Sequence, residues 1–79
     1  MMTDELTSTE YDLYTGRRRT MTVRVGDRVR VRTWGGGIVT GTCTGVHDVI
    51  KNDQPGIDYT TDSGADHWAY LDQIEGSTR

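Results

Sequence analysis

Between Met21 and Arg32 apolar and charged residues alternate with a period of two, Val23, Val25, Val29 and Val31 being interleaved with Arg24, Arg28, Arg30 and Arg32. A strand sends successive side chains to opposite faces, so this pattern fits a strand with one face buried and the other in water. A helix of the same sequence would scatter the valines around its circumference. Gly26-Asp27 interrupts the alternation, which predicts a turn before a half-buried strand. The fold class that follows is all-β.

The remaining punctuation divides the chain further. Gly35-Gly-Gly37 after Trp34 predicts a loop, because glycine accepts positive φ without steric cost. Ile38 to Val46 reads as a long second strand, with Gly41 and Gly45 marking a bend, a bulge or a close backbone approach. A polar loop from His47 to Pro55-Gly56 is expected next, then a strand at Ile57–Thr61, a tight connection at Asp62–Asp66 and a strand at His67–Tyr70. Leu71-Asp-Gln73 reads as a single helical turn of 3-10 type, and Ile74-Glu75 as a last short strand. Residues 1–20 hold few apolar residues and many threonines, so they are expected to be a flexible or weakly helical N-terminal extension, with Arg17-Arg-Arg19 as a solvated linker. Residues 21–76 form the expected domain, and 77–79 a disordered tail.

Five strands with a one-turn helix before the last resemble the SH3-like small β-barrel. The resemblance is carried by Val25-Gly-Asp-Arg-Val29, by Gly37-Ile-Val-Thr-Gly-Thr-Cys-Thr-Gly45 and by Trp68-Ala-Tyr-Leu-Asp-Gln-Ile74, and it points to the broad group of Tudor, KOW and related modules. It implies a five-stranded barrel and leaves the function open, since unrelated activities share that fold. Gly26-Asp-Arg-Val-Arg30, Ile38-Val39 and Cys43 are also similar to the start of the barrel in type II (plasmid-type) dihydrofolate reductase. That second resemblance implies a tetramer around a pore, a Val-Gln-Ile-Tyr strand that holds folate and nicotinamide, and a basic position falling on Arg32. His67-Trp-Ala-Tyr70 matches that strand only at Tyr70 and offers no glutamine amide.

The length of 79 residues allows one domain with one small core. Cys43 is the only cysteine, so an intramolecular disulfide is impossible, and its strand position predicts a buried small hydrophobe. Cys43, His47, Asp48 and His67 lack the tight spacing of a metal site, and His67 reads as a strand-surface residue. No Walker lysine follows the glycines, and Asp58, Asp62, Asp66 and Asp72 sit in no evident apolar pocket. Neither a metal, a cofactor nor catalysis is therefore expected. Residues 1–20 contain no apolar run that reads as a signal or membrane segment, so a soluble, cytoplasmic protein without a membrane partner is expected.

Two surfaces remain as binding candidates. Trp34, Tyr59, Trp68 and Tyr70 are placed where such barrels can gather them on one side, to hold an extended peptide or a cationic side chain beside Asp58 or Asp66. Arg24, Arg28, Arg30 and Arg32 present an outward basic stripe that fits an acidic partner, nucleic acid or the chain's own carboxylates. The formal charge of −3 is segregated, with −4 over residues 1–16, +6 over 17–32 and −5 over 33–79. A dipole of this kind lacks the positive surplus usual for a dedicated nucleic-acid binder. The reading that results is a non-catalytic binding or adaptor module with a protein partner, in the compact Arg/Thr/Asp/Gly-rich style of phage or mobile-element accessory proteins. Nucleic-acid binding and a reductase-like enzyme are the alternatives, and exposed strand edges make self-association a further expectation.

Overall fold

The Val/Arg alternation becomes strand β4 (Arg28–Arg32), where Val29 and Val31 are buried and the three arginines exposed. The computed structural model describes residues 2–11 and 13–78, so Met1, Asp12 and Arg79 lie outside it. The strands are β1 (Met2–Thr3), β2 (Glu5–Tyr11), β3 (Arg18–Arg24), β4, β5 (Ile38–Lys51), β6 (Gln54–Thr61), β7 (Asp66–Tyr70) and β8 (Ile74–Thr78), with one 3-10 turn at Leu71–Gln73. All pairings are antiparallel. The main sheet runs β7-β6-β5-β4-β8, with β1 added to β5; β2 and β3 form a second, two-stranded sheet. Among the described residues no ladder joins β7 to β8, so the path is open.

One core fills the space that these strands enclose. Val23, Val29, Val31, Cys43, Val46 and Ile57 are its largest fully buried side chains, Ala69 is buried as deeply, and Tyr59, Leu71 and Ile74 lie around them. Cys43 is buried as its position predicts. The turn at Gly26-Asp27 is pinned from several sides: Gly26 has φ 93°, the Asp27 amide donates to the Arg24 carbonyl, and the Cys43 amide donates to the Asp27 carbonyl. The buried Asp27 carboxylate accepts the Arg24 amide at 2.9 Å and the Ser77 hydroxyl at 3.2 Å. A buried carboxylate must be hydrogen-bonded, and here the bonds tie β3, β4 and β8 together.

Several expectations are corrected. The N-terminal segment is neither helical nor loose: β2 and β3 form a hairpin in register from Glu5↔Arg24 to Tyr11↔Arg18. Leu6 and Val23 face each other across it and enter the core, so burial of that apolar pair overrides the weak local helix signals. Arg18 and Arg19 are strand residues, not linker. The polar loop expected from His47 to Gly56 is strand on both sides of a two-residue turn, Lys51 pairing with Gln54. Asn52 and Asp53 have φ of 54° and 58°, the sign that a type I′ hairpin turn demands at both central positions. β8 continues to Thr78, Ser77 and Thr78 pairing with Val29 and Arg28, so these two residues of the expected tail are ordered in the sheet.

At Gly41 and Gly56 glycine follows from close approach of a neighbouring backbone. A Cβ on Gly41 would lie 2.4 Å from the Thr60 carbonyl oxygen, and the register between β5 and β6 shifts between Cys43 and Gly45. Two leucines of the N-terminal segment test whether the hairpin belongs to the core. Leu6→Ala is expected to cost about 2–3 kcal/mol in urea unfolding, as for a buried leucine, whereas Leu13→Ala, at a position 94% exposed, should stay within about 0.5 kcal/mol of wild type. Equal, negligible effects would make the hairpin an appendage.

Candidate functional site

Alternation along β7 decides where the aromatic residues go. Asp58 pairs with Trp68 and Tyr59 with His67, so Trp68 points out of the sheet while Tyr59 points in. Tyr59 is 5% exposed, and burial raises its phenol pKa. Of the four aromatic residues expected on one side, Trp34, Trp68 and Tyr70 come together in ring contact, and Tyr59 packs into the core while still lining the groove between the two tryptophans.

The three form a ladder with Tyr70 in the middle. Its ring meets Trp34 at 6.2 Å and Trp68 at 5.1 Å between centroids, both nearly perpendicular. Edge-to-face contacts of this kind are favourable and fix ring orientation. Tyr70 is buried, and its hydroxyl accepts a hydrogen bond from the Asn52 side chain at 2.8 Å. The two tryptophans stay in solvent, Trp34 82% and Trp68 41% exposed. Lys51 Nζ lies 5.4 Å from the Trp68 centroid. A groove of about 240 Å³ separates the tryptophans, with Arg32, Thr33, His67 and Gln73 among its walls. The Trp34 loop is held by hydrogen bonds from the Gly36 amide to the Thr33 carbonyl and from the Thr33 amide to the Gly37 carbonyl.

Lys51 and Asn52 were not expected in the site. The type I′ turn at Asn52-Asp53 brings them over β7, and the signal in the sequence was masked by Pro55-Gly56, which reads as the stronger turn. The carboxylates near the tryptophans are engaged already: Asp58 meets His47 at 2.7 Å, and Asp66 accepts from the Thr60 hydroxyl at 2.7 Å.

The arginine stripe is largely satisfied within the chain. Arg24 pairs with Glu5 at 2.7 Å, Arg28 holds Asp62 through both terminal guanidinium nitrogens at 2.6 and 2.9 Å, and Arg32 pairs with Glu75. Arg30 has no ion pair among the described residues and remains exposed. Asp62 also accepts from the Thr40 hydroxyl at 2.6 Å. The hydrogen bond from Arg28, with that from Thr40, lowers the Asp62 pKa from 3.8 to about 2, and the same bond raises Arg28.

The nucleophile and ligand candidates are dispersed. Burial raises the Cys43 thiol pKa, which opposes thiolate formation. No group of three or more His, Cys, Asp or Glu among the described residues is arranged to hold a metal ion. No family model, curated protein or solved structure matches this chain.

The Arg28–Asp62 pair sets a pH dependence whose sign is fixed. Asp62 is more acidic folded than unfolded, so its contribution is complete above its ordinary value of 3.8 and is lost as pH falls towards about 2. The gap in thermal midpoint between wild type and Asp62→Asn should therefore be constant above about pH 5 and close on acidification. Both partners are half exposed, so added salt should shrink the gap. A gap unchanged down to about pH 2 would show that Asp62 is not held as a carboxylate.

Proposed function

We propose that the chain is a non-catalytic protein-binding module, an SH3-like barrel in architecture, which holds an extended segment of a partner between Trp34 and Trp68. The strand order β7-β6-β5-β4-β8, the long bent β5 and the 3-10 turn between β7 and β8 support the barrel reading. The observation that carries the binding reading is the Trp34-Tyr70-Trp68 ladder, which keeps two large indoles in water on a rigid base. Rigid aromatic rings supply contact area at little entropic cost, and grooves walled by them suit extended or proline-rich peptides.

The alternatives gain less from the geometry. Binding of nucleic acid by Arg24, Arg28, Arg30 and Arg32 would require three intramolecular ion pairs to be surrendered. The reductase-like reading draws no support from Tyr70, whose buried ring is the base of the ladder and whose hydroxyl is taken by Asn52.

Panning a random peptide library on the protein, followed by titration of synthetic peptides, tests the proposal. Peptides selected on wild type should lose roughly tenfold or more in affinity for Trp34→Ala and Trp68→Ala, as expected for aromatic anchors. Arg30→Ala should bind them as wild type does. Failure to select any peptide, or peptides that bind Trp34→Ala equally well, would overturn the reading.

A further inference from the structure

Alternation sorts the side chains of the N-terminal hairpin into two unlike faces. Leu6 and Val23 face the core, and Ser8, Glu10 and Met21 on the same face line a polar cavity against Leu71, Asp72 and Ile74. The opposite face carries the cross-strand pairs Glu5/Arg24, Thr7/Thr22, Thr9/Thr20 and Tyr11/Arg18. Its one carboxylate among the described strand residues, Glu5, is neutralised by Arg24 at 2.7 Å. What remains is a run of threonine hydroxyls, with Thr7 and Thr22 bonded to each other at 3.2 Å, ending in Tyr11 and Arg18.

The end of the hairpin extends this chemistry into solvent. The Arg18 guanidinium lies 5.9 Å from the centroid of the Tyr11 ring, and Tyr11, Tyr14, Arg17 and Arg18 are all exposed. Over residues 10–19 the three arginines Arg17, Arg18 and Arg19 outnumber the two acids Glu10 and Asp12, a local excess of one positive charge where the whole chain carries −3.

We infer that the outer face and tip of the β2–β3 hairpin form a second binding surface, for single-stranded nucleic acid. Arg17, Arg18 and the threonine hydroxyls meet phosphates, and Tyr11 and Tyr14 offer ring faces to unpaired bases. Duplex readout is disfavoured because the hairpin pairs place threonines where base-reading Arg, Asn or Gln would be needed. A bilayer is disfavoured because Leu13 is the only aliphatic residue at the exposed tip, too little apolar area for insertion. This surface is separate from the tryptophan groove, so either site can fail without the other.

Fluorescence anisotropy with labelled oligothymidylate and oligouridylate tests the inference on the full chain. Binding tighter than about 100 μM is expected at about 50 mM salt, and two neutralised phosphates predict a loss of about sevenfold at about 200 mM. The double variant Arg17→Ala/Arg18→Ala should bind weakly and lose most of this salt dependence. Tyr14→Ala, at a fully exposed loop position, should weaken binding roughly fivefold or more, while Trp34→Ala should leave it unchanged. No binding at the lower salt would overturn the inference. So would binding lost in Arg30→Ala but kept in the double variant, or equal affinity for polyglutamate or for phosphatidylserine vesicles.

Discussion

Burial of Val29 and Val31 in the core, from the strand that β5 and β8 flank, is the constraint on which the other features depend. Once the valines point inward, the period of two forces Arg28, Arg30 and Arg32 outward, and nearby chain supplies their partners. Asp62 comes from the β6–β7 connection and Glu75 from β8. Such exposed pairs contribute little stability individually. Their importance lies in occupying guanidinium groups that would otherwise read as a basic binding stripe.

The same inward face extends beyond the main sheet. Leu6 and Val23 carry it into the hairpin, so two sheets share one core. Sharing a core fixes the hairpin while leaving its outer face and tip in water. The tryptophan groove arises differently, from a glycine-supported loop on one side and an outward position of β7 on the other. Tyr70, buried at the end of β7, is the piece that gives both tryptophans a common base.

Much of this was legible where periodicity was strong. Strand β4, the turn at Gly26-Asp27, the 3-10 turn at Leu71–Gln73 and the buried Cys43 all follow from local pattern, as does the crowding at Gly41. The hairpin was not legible because its evidence is non-local: Thr7 and Thr9 look unremarkable until paired with Thr22 and Thr20. The Asn52-Asp53 turn was hidden by a neighbouring Pro-Gly. Of the site, Trp34, Trp68 and Tyr70 were visible as aromatic residues near one another. Tyr59 lines the groove from the core side, an inward orientation that depends on pairing with His67, and Lys51 and Asn52 are brought in only by the turn.

Native-state amide hydrogen exchange, read residue by residue, tests most directly whether one core unites the two sheets. The slowest amides of β2 and β3 should exchange within about tenfold of the slowest amides of β4, because both open only on global unfolding. Hairpin amides that exchange hundreds of times faster while β4 stays protected, to follow the scale of local opening, would contradict the account.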